Sequence, residues 1–163
     1  MEMRLSKNFT THLPMLMKCV NVTDGPVMEL GGGYFSTPVL HWMCREKGRY
    51  LLTYDDDAVY FPFIKGFRSR THRVRLIDNW DNLEPNIHWS VVLVDHGNSM
   101  QQRAESIIKL KDTADFIVVH DTEHRTFQPL AEEVYKHFKY VYHWKDCYPS
   151  VAVLSNFKDV TKL

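Results

Sequence analysis

The sequence predicts an α/β fold, a three-layer sandwich with a mostly parallel, doubly wound sheet closed by an antiparallel C-terminal hairpin. Three observations lead there. Short apolar runs alternate with amphipathic segments along most of the 163 residues. Such alternation implies parallel strands joined by crossover helices. Polar residues recur where apolar runs end, at Glu29, Asp55, Asp78, Asp95 and Asp121. In an open α/β sheet those ends share one edge, where ligands bind. Finally, the first apolar run leads into three consecutive glycines, Gly31, Gly32 and Gly33, and then Ser36, Thr37 and Pro38. That is a strand, a glycine-rich turn and a helix N-terminus, the arrangement of a nucleotide-type cofactor site.

The elements follow in order. Residues 7–20 carry Phe9, Leu13, Leu16, Met17 and Val20 at roughly helical spacing, with Pro14 speaking against one continuous helix. Val27–Leu30 is the first strand. Thr37–Lys47 is a helix stopped by Gly48. Tyr50–Tyr54 is the second strand, running into Asp55, Asp56 and Asp57. Ala58–Gly66 is a short helix or turn interrupted by Pro62, and Arg73–Ile77 a third strand. Ser90–Val94 and Phe116–Val119 are nearly all apolar, as expected of strands covered on both faces. Between them Ser99–Lys111 is amphipathic, with Ile107, Ile108 and Leu110 inward. Gln128–His137 is a helix, and Tyr140–Trp144 with Ser150–Ser155 an antiparallel pair.

Composition narrows the class. The 163 residues suit a single domain, with an N-terminal helical cap over 1–24 and a core over 25–157. Net charge is zero, so bulk charge gives no sign of a nucleic-acid binder. Cys19, Cys44 and Cys147 are widely spaced and odd in number, which suits reduced thiols in a cytoplasmic setting. No apolar run reaches transmembrane length. Lys65, Arg68, Arg70, Arg73 and Arg75 form a local basic run, read first as a solvated loop before a strand and otherwise as a place for an anionic substrate or a nucleic-acid backbone. Tyr60, Phe61 and Phe63 are read as core. The absence of a GKT or GKS sequence after the glycines excludes a P-loop.

With these pieces in place, the chain resembles the class I S-adenosylmethionine-dependent methyltransferases. ELGGGYFSTPVLH is similar to the family's first motif, and LLTYDDD and RLIDNW to its second and third. VVLVDHG and FIVVHDTEH are similar to the fourth and fifth strand ends. The resemblance implies transfer of a methyl group to an oxygen of a small molecule or sugar. It places Glu29, Gly31, Gly32, Gly33 and Ser36 around the methionine end of S-adenosyl-L-methionine. It places Asp55 on the ribose, or Asp56 or Asp57 if the strand end shifts. Asp78 and Asn79 fall on the adenine edge, with Trp80 either stacked on that base or in the core. Asp95 sits nearest the transferred methyl.

Asp95, His120 and Asp121 are the catalytic candidates, with His96, Glu123 and His124 nearby. Asp95 and Asp121 match the positions that hold a divalent metal in one subgroup, although His120 departs from that subgroup's oxygen ligands and suits a softer ion. A small-molecule acceptor and a homo-oligomer are expected, and neither a nucleic acid nor a membrane. The alternatives are an S-adenosylmethionine-binding protein without transferase activity, an enzyme that cleaves the cofactor, and an NAD-dependent oxidoreductase, for whose fingerprint Ser36 is a poor third small residue.

Overall fold

A computed structural model of the chain describes residues 7–97 and 99–163. The first six residues of the expected cap lie outside it. After a 3-10 turn at Lys7–Phe9 come α1 (Leu13–Asn21), β1 (Val27–Leu30), α2 (Ser36–Glu46), β2 (Leu51–Asp55), α3 (Phe61–Lys65) and β3 (His72–Leu76). Then follow β4 (Trp89–Val94), α4 (Met100–Leu110), β5 (Ala114–His120), α5 (Gln128–Tyr135), β6 (Tyr140–Trp144) and β7 (Val151–Ser155). Pro14 does not break a helix. It occupies the first turn of α1, where a missing N–H costs nothing.

Seven strands form one sheet in the order β3-β2-β1-β4-β5-β7-β6. The pairs among β1 to β5 are parallel, and β7 lies antiparallel to both β5 and β6. Alternate residues of each strand enter opposite cores. Val27, Leu51, Val91, Leu93, Phe116 and Val118 pack with Leu16, Cys19 and Val20 of α1 and Leu40 and Cys44 of α2. Met28, Leu30, Leu52, Val92, Val94 and Val119 pack with Ile107 and Leu110 of α4 and Val134 of α5. Two helical layers therefore enclose the sheet, as the unbroken apolar strands require.

Chain order reverses between β1 and β4, whose ends align with Leu30 opposite Val94. This is the switch point of the sheet. The crevice outside the carboxyl ends opens there, between the glycine loop after β1 and Asp95 after β4. No helix among the described residues is long and apolar enough to cross a membrane.

Candidate active site

The glycine loop is shaped first by the protein's own packing. Gly31 has φ +91, and a Cβ on it would lie 2.5 Å from the backbone nitrogen of His96. A Cβ on Gly32 would meet Ile64 Cδ1 at 2.8 Å and Thr53 Cγ2 at 3.0 Å. On Gly33 it would meet nothing nearer than Ser36 Oγ at 3.9 Å. Two of the three glycines thus let backbone and side chains close behind the loop, and the third leaves room in front of it.

Beneath the loop lies a buried polar chain. Gly33 N–H donates to Thr37 Oγ1 at 3.0 Å, and Thr37 donates to Glu29 Oε2 at 2.9 Å. Thr53 donates to the same oxygen at 2.7 Å. Glu29 is fully buried. Burial pushes its carboxyl up to about 7, against the hydroxyls of Ser36, Thr53 and Thr37, which pull it down. Glu29 is therefore a support for the loop from behind, and it does not line the crevice.

A cleft of about 1030 Å³ opens over Gly31, Gly32, Gly33 and Ser36. One wall is aromatic: Tyr34 packs its ring on Phe63 at 4.6 Å and on Tyr60 at 5.3 Å. These rings are half-buried cleft wall rather than core. Asp57 and Val59 continue that wall. The opposite end is polar, lined by His12, Asp95, His120 and Asp121, with Pro149 beside them. No Lys or Arg lines the cleft among the described residues. Asp57, Asp95 and Asp121 make the lining anionic, which disfavours a pyrophosphate and favours a cationic ligand.

The polar end is knit tightly. Asp95 Oδ1 lies 3.0 Å from His120 Nδ1, and His120 Nε2 lies 2.9 Å from Thr11 Oγ1. Burial alone would lower the His120 pKa, but the hydrogen bond and charge of Asp95 outweigh it and raise it. In return His120, with lesser help from His12 and Arg103, holds Asp95 below the usual carboxylate range in spite of its burial. Asp121 Oδ1 is 3.7 Å from His120 Nε2, and its backbone has φ 55, a turn away from β5 that a non-glycine residue seldom makes. Arg103 of α4 is buried behind them. Its Nε donates to the His96 carbonyl at 2.5 Å and its Nη1 to the His120 carbonyl at 3.0 Å, while Nη2 sits 3.7 Å from Asp95 Oδ1. One guanidinium thereby ties together the ends of β4 and β5.

Several expected site residues lie elsewhere. Asp55 closes β2, one residue beyond the expected strand, and is only 4% exposed. Its Oδ2 accepts Gly32 N–H and its Oδ1 accepts Asp57 N–H, both at 2.7 Å, so it braces the loops rather than lining the cleft. Asp57, two residues on, does line it. Asp78 and Asn79 are exposed and outside the cleft wall. Asn79 caps a 3-10 turn, accepting Asp81 N–H, and takes a hydrogen bond from Gln102. Trp80 is buried, stacks on His96 at 3.9 Å and donates to Asp56 Oδ2. Its ring face is taken by protein, so no base can stack there.

Glu123 accepts from the backbone and hydroxyl of Ser150 and pins β7, and His124 is exposed beside Thr126. The basic run spans the end of α3, the loop after it and β3 at the sheet edge, with Arg68 turned onto the Val74 carbonyl. Sequence reading missed His12, Thr11, Tyr34 and Arg103. Tyr34 directly follows the glycines of the first motif, which could have marked it, whereas His12, Thr11 and Arg103 carry no local signal, since each reaches the site only through the packing of its helix or loop.

No family model and no curated protein matches this sequence. Solved structures do. The human methyltransferase 10 domain containing protein is 13% identical with a TM-score of 0.65, over 94% of this chain and 86% of that one. The METTL16 MTase domain is 12% identical with a TM-score of 0.68, over 96% and 71%. The same protein's catalytic domain has been crystallised with a 3′UTR hairpin. A TehB-like SAM-dependent methyltransferase from Corynebacterium glutamicum is 11% identical with a TM-score of 0.55, over 85% of each chain. The fold is therefore that of the class I, Rossmann-like methyltransferases.

Proposed function

We propose that this chain binds S-adenosylmethionine in the cleft and transfers its methyl group to a hydroxyl of an acceptor held at the polar end. One observation carries the reading: the open glycine loop and the Asp95–His120 pair face each other across a single cleft at the switch point of a methyltransferase fold. S-adenosylmethionine supplies a methyl already activated on a sulfonium, whose carbon–sulfur electron pair leaves with sulfur.

The chain's own residues do the rest. Gly33 and Ser36 give the loop side of the cleft, and Asp57 with the Tyr34, Tyr60 and Phe63 wall gives a place for the adenosine. Asp95, Asp57 and Asp121 make the cleft anionic, which favours a cationic sulfonium. At the polar end Asp95 accepts the Nδ1–H of His120, which leaves the Nε2 lone pair as the base, and an acceptor hydroxyl that takes the place of Thr11 at Nε2 gives up its proton there as the new carbon–oxygen bond forms. A carboxylate–imidazole pair suits a hydroxyl of a small molecule or sugar, whose proton must be removed. The neighbour crystallised with a hairpin makes nucleic acid a competing acceptor class, contrary to the expectation from net charge.

Calorimetric titration with S-adenosylmethionine and S-adenosylhomocysteine tests the cofactor. Micromolar binding of both supports the reading, whereas heat only with NAD would sink it. Methyl transfer from labelled cofactor to a panel of sugars, small phenols and RNA hairpins then separates the acceptors. Consumption of cofactor with no acceptor present would point to cleavage instead.

A further inference from the structure

We infer that His12, Asp95 and His120 form a binding site for a divalent transition metal, of the class of Zn²⁺, Fe²⁺ or Mn²⁺ rather than Mg²⁺. One ligand atom from each of the three lies within 4.8 Å of the others. Asp95 Oδ1 is 3.0 Å from His120 Nδ1, and Asp95 Oδ2 is 4.0 Å from His12 Nδ1. Bonds of about 2.0–2.2 Å place tetrahedral or cis donors on one ion about 3.0–3.5 Å apart. Asp95 and His120 already stand at that spacing, and His12 has to close by about 1 Å, within the reach of side-chain rotation.

His12 points to a ligand independently. It is 1% exposed, and neither ring nitrogen has a hydrogen-bond partner. A buried polar group normally finds a partner, because leaving it unpaired costs about 1–3 kcal/mol. This one lines the cleft wall, with its ring edge-on to His120 at 4.6 Å between centroids. An ion between the two rings and Asp95 supplies the missing partner.

The surroundings fit as well. An ion would replace the proton between His120 Nδ1 and Asp95 Oδ1, with Nε2–H then donating to Thr11 Oγ1, 2.9 Å away, so in the metal-bound form the ion and not His120 would lower the pKa of the acceptor hydroxyl. A hydrogen bond on the second ring nitrogen is what usually orients a ligating histidine. Arg103, 3.7 Å from Asp95, is the obvious objection. Asp95 and Asp121 together outweigh that one guanidinium, so with neutral imidazoles the cluster stays anionic. Two imidazoles and one carboxylate favour a borderline transition metal over Mg²⁺. Three protein ligands leave coordination positions open toward the cleft, where an acceptor oxygen would be polarised. That last role rests on the methyl-transfer reading, whereas the site itself does not.

The test uses the untagged full chain stripped of metal. Zn²⁺ calorimetry and Co²⁺ absorption are expected to show one site per chain, with Mg²⁺ failing to compete. His12→Ala and His12→Gln each remove a direct ligand and should weaken Zn²⁺ by more than the roughly 10- to 100-fold that loss of an outer-shell partner costs. His124→Ala, altered at an exposed histidine outside the cluster, should not. Zinc-edge X-ray absorption on the wild-type chain should count two imidazoles, a readout that needs no variant to fold. Absence of one-to-one binding, a ligand set lacking two imidazoles, or folded His12 variants that bind like wild type would each overturn the site. Titrating metal-free chain with S-adenosylmethionine keeps the two proposals apart, because cofactor binding without metal leaves the first standing if the second fails.

Discussion

Thr37 donates its hydroxyl hydrogen to Glu29 at 2.9 Å while accepting the N–H of Gly33 at 3.0 Å. One side chain at the start of α2 thus couples the buried acid of β1 to the glycine loop. The chain continues beyond them. Thr53 gives its hydrogen to Glu29 and must then accept from His72 Nε2, 2.9 Å away. That tautomer leaves His72 Nδ1 as the acceptor for His41 Nδ1–H at 3.0 Å. Neutral His72 agrees with a pKa lowered by burial to about 4. The loop is therefore held by a network reaching from the cleft to the β3 edge of the sheet.

Glu29 makes stability depend on pH in a definite sense. Its folded pKa of about 7 lies above the ordinary 4.5, so the folded state binds the proton more tightly. The resulting stabilisation is fully present below pH 4.5 and is lost as pH rises through about 7. Its span is about 3 kcal/mol, from 2.5 pH units of difference. Glu29→Gln should abolish this component. Urea midpoints of both proteins at pH 5 and pH 8 check it, and parallel pH profiles would refute it.

Gly31 and Gly33 should separate on substitution. Gly31→Ala puts a Cβ 2.5 Å from backbone at φ +91 and should cost about 3 kcal/mol or more of stability. Gly33→Ala meets open space and should stay within about 1 kcal/mol of wild type. Its methyl instead projects toward the cleft, so S-adenosylmethionine affinity should fall while the melting temperature holds. Thermal melts and calorimetry on the two variants read both effects.

Arg103 carries more of the fold than any other charged side chain at the site. Arg103→Met keeps much of the volume but strips donors from the carbonyls of His96 and His120 and leaves Asp95 without its guanidinium. Removing one member of such a buried group costs about 3–5 kcal/mol. Chemical denaturation is the direct measurement, and a loss below about 1 kcal/mol would show that the guanidinium is dispensable.

Asp55 and Asp57 should trade the roles that the strand-end pattern assigns them. Asp55→Ala removes the acceptor for Gly32 and Asp57 N–H groups and should lower stability first. Asp57→Asn keeps an oxygen for Val59 N–H but loses the cleft charge. It should weaken S-adenosylmethionine about tenfold, the worth of one charge-assisted hydrogen bond, with the melting temperature unchanged. Calorimetry paired with thermal melts distinguishes these from the reverse pattern.

The three layers and the closing hairpin were legible in the pattern of apolar residues. Strand runs such as Val91–Val94 are apolar at every position, so helices had to cover both faces, and the alternation of runs made the sheet parallel. The same local patterns place each strand end to within one residue, because turn chemistry is local: Gly31–Gly33, Asp95 and Asp121 all reach the cleft. Tertiary packing settles which strand-end acids face a ligand. Asp55 and Asp95 both follow strands, yet one is consumed by two backbone N–H groups and the other opens to the cleft, a difference of a few ångströms in loop path. It alone decided that Trp80 is closed off by His96, and that His12 of the N-terminal segment stands over residues 95 and 120. Periodicity reports which face of an element is buried, but it carries no information on what that element meets across the molecule.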